Sequence, residues 1–87
     1  MVALDSDSEG NVHFVWSRNT QHLYYKLVDA RGETLIEATQ ISNPGQSRAW
    51  HPDIAIDNND RAHIVWADRA GNWAIKYTVV DPLSRRS

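Results

Sequence analysis

The chain contains no cysteine, so disulfides and thiolate-bound zinc are excluded outright. It also lacks any run approaching the ~20 apolar residues that a membrane-spanning helix needs. Its start, Met1-Val2-Ala3-Leu4-Asp5, carries neither a basic segment nor an apolar stretch of signal-peptide length. The expectation is a soluble chain with no membrane partner. Positive charge is scarce and scattered. Nine Lys and Arg against eleven Asp and Glu leave a net charge of −2, and no basic stripe is long enough to follow a phosphate backbone, so no nucleic-acid partner is expected. The adjacent pair Arg85-Arg86 is too short for such a patch and reads as a frayed tail.

What is present is a high density of large aromatic side chains. Four Trp in 87 residues must either fill a core or line a surface. A chain of this length makes one small domain and buries only a modest share of its surface.

Three sequence blocks recur. Val2-Ala3-Leu4-Asp5 matches Ile54-Ala55-Ile56-Asp57, and Val12-His13-Phe14-Val15-Trp16 matches Ala62-His63-Ile64-Val65-Trp66. Leu23-Tyr24-Tyr25-Lys26-Leu27-Val28-Asp29 matches Ile75-Lys76-Tyr77-Thr78-Val79-Val80-Asp81. The order is conserved and the offset is about 50 residues. On this alignment the offset slips by two between the first and second blocks, then back before the third, with both slips in polar turn stretches. Each block is rich in β-branched and aromatic residues and bounded by turn signals. A further strand is expected at 33–41, followed by the break Asn43-Pro44-Gly45.

The spacing predicts one unit, 1–87, with strands at 2–5, 12–16, 22–28, 33–41, 53–57, 62–67 and 73–80. Four short strands in about 50 residues, repeated head to tail, predict an all-β fold of propeller blades, each a four-stranded antiparallel sheet. Alternation puts Val12, Phe14 and Trp16 on one face and His13 and Val15 on the other, and both faces are apolar, as a blade sandwiched between neighbours requires.

These stretches, with His51-Pro52-Asp53 before the second copy, Ala67-Asp68-Arg69 and Gly71-Asn72 after its second block, and Gly10-Asn11 in the first copy, resemble the BNR-like, or sialidase-like, propeller repeats. Such repeats are similar to modules in glycosidases, sugar-binding proteins and surface proteins. The resemblance implies a fold and a secreted or cell-surface setting. It transfers no catalytic residue, because the catalytic Arg cluster, Tyr and acid of sialidases have no counterpart positions here.

Copy one supplies four strands and copy two only three, so the reading expects a slice of a longer array: two blades per chain, the second lacking its outer strand. Two stacked blades leave two apolar faces in water. At roughly 25 cal/mol per Å², a few hundred Å² on each face forfeits a sum comparable to a small domain's stability. Head-to-tail self-association is therefore expected, with three chains closing a six-bladed ring and four chains an eight-bladed one.

Several side chains are candidates for chemistry. Asp5, Asp7 and Glu9 alternate like a short calcium loop, but calcium takes six to eight oxygens, and Asp, Asn and Gly equally suit a hairpin turn. No cofactor is expected. His13 and His63 recur at one repeat position, as do Trp16 and Trp66, which points to architecture: a buried ring bonded to backbone or a turn carboxylate, and packing between blades. In a propeller, second-to-third-strand loops and fourth-to-first-strand connections share one end, where ligands usually bind. That end collects Arg48, Trp50 and His51 with Arg18, Asp68, Arg69 and Trp73. Aromatic plates beside charged hydrogen-bonding groups suit a sugar; the competing reading is that the Trp rings cover blade edges.

The function expected is a non-catalytic module, a scaffold or binder assembled from copies of itself, with carbohydrate as the ligand. A glycosidase-like fragment is the alternative from another class. Glycoside hydrolysis needs two carboxyls flanking one substrate, and of the acids here only Asp53 and Asp57 are placed to be tested. A folding and assembly unit without ligand is the third reading.

Overall fold

The computed structural model describes residues 2–19, 22–42, 49–69 and 73–81. These form seven strands and no helix: β1 (Val2–Ser6), β2 (Val12–Arg18), β3 (His22–Val28), β4 (Thr34–Gln40), β5 (Ala49–Ile56), β6 (Ala62–Asp68) and β7 (Ala74–Val80). They pair into two antiparallel sheets, one of four strands in the order β1-β2-β3-β4 and one of three in the order β5-β6-β7.

Three of the hairpin turns are built on one plan. Asp7, Asp29 and Asp57 each accept, through Oδ1, the backbone N–H groups two and four residues on: Glu9 and Asn11 (2.9 and 3.0 Å), Arg31 and Glu33 (2.8 and 2.9 Å), and Asn59 and Arg61 (2.8 and 3.0 Å). In each, the third residue after the Asp swings to positive φ: Gly10 at 82°, Gly32 at 88° and Asp60 at 60°. A short carboxylate that mimics a backbone turn, followed by a left-handed residue, is what lets two strands reverse in so few residues.

This plan corrects the alignment of the two copies. Asp57 is the structural counterpart of Asp7, not of Asp5, because it makes the same turn. The pairings agree: Leu4 opposes Phe14 where Ile54 opposes Ile64, and Asp5 opposes His13 where Ala55 opposes His63. The first and second strands of both copies are thus offset by 50, while Tyr25 and Tyr77, opposite Val15 and Val65, are offset by 52. A single slip remains, in the loop between second and third strands.

The start of β5 also differs from expectation. Trp50, His51 and Pro52 do not lead into the strand; they belong to it. The ladder is interrupted between Trp50 and Asp53, where His51 adopts a φ of 50° and Pro52 has no N–H to donate. A bulge at a proline is the ordinary way for a strand to survive one.

The two sheets pack face to face, and one seam makes the core. From the four-stranded sheet come Val15, Leu23, Tyr25 and Leu27; from the other come Ala49, Ile54, Ala62, Ile64, Trp66 and Val80. Period-2 alternation puts Leu23, Tyr25 and Leu27 on one face of β3 and Ala62, Ile64 and Trp66 on one face of β6; in β5 the register shift between Trp50 and Asp53 brings Ala49 and Ile54, five positions apart, to the same face. Two carboxylates clamp the seam. Ile56 N–H donates to Asp5 Oδ2 at 3.1 Å, while Ser8 donates to Asp60 through its backbone N–H (3.0 Å) and its hydroxyl (2.6 Å).

The opposite faces are left open. At positions that correspond in the two copies, Leu23 is 0 % exposed and Ile75 76 %, Tyr25 1 % and Tyr77 58 %, Leu27 1 % and Val79 41 %. The four-stranded sheet is open on its other side, where Val2 and Leu4 are exposed. The same chemistry is buried once and exposed once.

Candidate functional site

Each sheet carries a Tyr–His–Asp relay. In the four-stranded sheet His13 Nε2 lies 3.1 Å from Asp7 Oδ2, and its Nδ1 lies 2.6 Å from Tyr25 Oη. In the other, His63 Nε2 lies 2.7 Å from Asp57 Oδ2 and Nδ1 lies 2.5 Å from Tyr77 Oη. An ionised carboxylate only accepts, so Nε2 carries the proton toward Asp; in the neutral ring Nδ1 then accepts the tyrosine hydroxyl. Asn11 Nδ2 adds a donor to Asp7 at 3.1 Å, and Arg61 Nε one to Asp57 at 3.0 Å.

These bonds set the acidity of both aspartates. Burial works to raise Asp7, but the bonds donated by His13, Asn11 and Glu9 outweigh it, and its carboxyl is held below the ordinary 3.8. Asp57 is held well below that value, first by His63 and then by the backbone of Arg61.

A Tyr–His–Asp chain resembles catalytic machinery, but its first copy is sealed. His13 is fully buried and Tyr25 nearly so, out of a substrate's reach. The second copy occupies the same repeat position and makes the same bonds, with Tyr77 58 % exposed, and in both copies the bonds tie the first turn to the third strand. The turn carboxylate expected beside each His is Asp7 for His13 and Asp57 for His63; the tyrosine partners, Tyr25 and Tyr77, carry no signal in the sequence reading. Each Asp lies six residues before its His.

The aromatic end of the three-stranded sheet gathers four of the sequence candidates. The Trp50 ring meets His51 at 6.0 Å and Trp73 edge-on at 6.4 Å, and the Arg69 guanidinium sits 5.4 Å over the Trp73 ring. The register explains the gathering: Trp50 pairs with Ala67 and Ala49 with Asp68, so the start of β5 runs beside the end of β6. Trp73 is exposed, whereas Asp68 is buried at the end of its strand. Arg18 is exposed at the end of β2 in the other sheet. Arg48 lies outside the described residues, as do Gly71, Asn72, Arg85, Arg86 and the Asn43-Pro44-Gly45 break. The indole N–H of Trp50 and that of Trp66 are buried and have no acceptor among the described residues.

Among the described residues no three His, Asp or Glu side chains group as metal ligands do. Of the alternating acids of the first turn, Asp7 is engaged in its turn and relay and Asp5 on Ile56 N–H, while Glu9 is exposed. Of the two acids singled out for hydrolysis, Asp57 is taken up by Asn59, Arg61 and His63, and Asp53 Oδ1 accepts the next residue's N–H at 2.9 Å.

Comparison of the chain with family models, curated proteins and solved structures returned no match.

Proposed function

We propose that the chain is a non-catalytic β-propeller module: two blades per chain, the second lacking its outer strand, which associates head to tail with copies of itself. Three chains closing a six-bladed ring is the preferred assembly. The observation that carries this reading is the pair of corresponding faces, one buried and one bare. Two sheets packed once could equally be a two-layer sandwich, but a sandwich turns polar side chains outward. Here the outer faces present Val2 and Leu4 on one side and Val65, Ile75, Tyr77 and Val79 on the other. Such continuous apolar surface marks a site of association. Electron microscopy of the purified protein tests the ring: six blades about a central channel are expected, and particles no larger than one chain refute it.

A second reading concerns what the ring holds. The cluster of Trp50, His51, Trp73 and Arg69 supports carbohydrate as ligand, since an aromatic plate covers the C–H face of a sugar while a guanidinium meets its hydroxyls. Titration with oligosaccharides to millimolar concentration, read by Trp fluorescence, should saturate in the native chain and fail in Trp50→Ala. A flat titration of the native chain removes sugars as ligands. The engagement of Asp57 weighs against the glycosidase-like alternative, and hydrolysis of any substrate on a broad glycoside panel would restore it. A secreted or cell-surface setting rests on the resemblance to sialidase-like repeats alone.

A further inference from the structure

The geometry points to one specific mate for the open face of β5-β6-β7: we propose that it receives the open face of β1-β2-β3 from a second copy, oriented as in the internal seam, with Leu4 of the incoming chain entering the depression beside β5 and β6. This rests on the self-association reading above and names its surfaces. The depression, of about 140 Å³, is lined by Asp53, Ile54, Ala55, His63 and Val65. Apart from Ile54, these residues stand where Ala3, Asp5, His13 and Val15 stand in the four-stranded sheet, and there β5 lies over them, with Ile56 bonded to Asp5.

What fills the internal seam therefore specifies what fills the external one. The residues pressed into the core from β5 and β6 are Ile54, Ala62, Ile64 and Trp66. Their counterparts, by the pairing of each strand, are Leu4, Val12, Phe14 and Trp16, all on the open face of the four-stranded sheet. The receiving surfaces correspond equally well: Val15, Leu23, Tyr25 and Leu27 inside, and Val65, Ile75, Tyr77 and Val79 outside. Each half of the contact is largely apolar and present on every chain. A second copy is the partner for which both halves are already in place.

The external seam is not a full copy of the internal one. Asp5 is replaced by Ala55, and Asp60 by Gly10, so neither carboxylate clamp recurs. The external seam is consequently the weaker, and dilution separates chains before it unfolds them.

The contact is heterologous, since each seam uses one face from one chain and the other face from its neighbour. That makes it testable by mixing. Leu4→Asp spoils one face and Ile75→Asp the other; both positions are exposed. In sedimentation velocity the native chain should assemble, each variant alone should remain monomeric, and an equimolar mixture should form a 1:1 dimer and nothing larger. If one variant alone still dimerises, like faces are pairing, and the proposed seam is overturned. Folded variants that fail to pair on mixing overturn it too. A native chain that stays monomeric at millimolar concentration defeats the self-association reading itself, a separate outcome. Should circular dichroism show that an Asp variant has lost its strands, Leu4→Ser and Ile75→Thr replace it, each expected to weaken assembly at least tenfold.

Discussion

Leu23 and Ile75 occupy the same position in the two copies, yet one is sealed in the seam between sheets and the other stands in water. Truncating each to alanine should therefore have very different effects. Leu23→Ala removes three carbons from a fully buried site and leaves a cavity, which costs about 2–5 kcal/mol. An 87-residue domain has only roughly 4–13 kcal/mol at about 0.05–0.15 kcal/mol per residue, so this one change takes a large part of the whole. Ile75→Ala touches almost nothing in the isolated chain and should stay within about 0.5 kcal/mol. Urea unfolding followed by Trp fluorescence, first at low micromolar concentration, reads both. At several hundred micromolar, where copies associate, the native midpoint should rise by mass action, and Ile75→Ala should lose that rise while Leu23→Ala keeps its deficit. If Ile75→Ala is as costly as Leu23→Ala in dilute solution, or equally harmless at both concentrations, the correspondence of the two faces is wrong.

Acid should act through the relays. Because the Asp7 and Asp57 carboxyls are held below 3.8 in the folded chain, their stabilisation is complete above that value and drains away as pH falls below it. Circular dichroism should show strand loss beginning below about pH 4, and Asp7→Asn should remove part of that dependence; an acid profile identical to the native one contradicts the relay. Tyr25→Phe, which leaves the fully buried His13 without its hydroxyl partner, should cost about 1–3 kcal/mol in urea unfolding. Tyr77→Phe at the exposed counterpart should cost much less in the dilute chain, and equal losses contradict the assigned burial. Gly32→Ala meets no atom within 4 Å, so its expected loss of about 1–2 kcal/mol comes from the left-handed backbone alone; a neutral result would show that the turn is not left-handed.

Most of the strand pattern was readable because period-2 alternation and turn residues are local properties. All seven strands fall within a few residues of their expected places, and the apolar character of both faces of Val12 to Trp16 was visible in the alternation itself. The correspondence of the copies was misread by two residues in the first strand, because Leu4-Asp5 and Ile56-Asp57 look alike in chemistry. What fixes the register is the turn carboxylate bonded to the backbone two and four residues on, and that role depends on position, not on neighbours in a short match. The strand expected at 53–57 starts earlier, at Ala49, because the bulge between Trp50 and Asp53 lets the chain pair on both sides of Pro52. The propeller loop rule places Arg48, Trp50, His51, Arg18, Asp68, Arg69 and Trp73 at one end; the structure brings Trp50, His51, Trp73 and Arg69 together, because first-strand starts and second-strand ends meet in an antiparallel pair, and holds Arg18 in the other sheet. Which face would be buried was not legible. Both faces are apolar, and the choice depends on which neighbour the chain itself supplies.

In the proposed assembly the bare faces of this chain are mates for each other. Light scattering across a dilution series weighs it directly. The expected mass climbs in steps of 9.9 kDa and levels off at three chains, falling back to one folded chain on dilution. A constant mass of one chain at every concentration, with its strands intact, would contradict it.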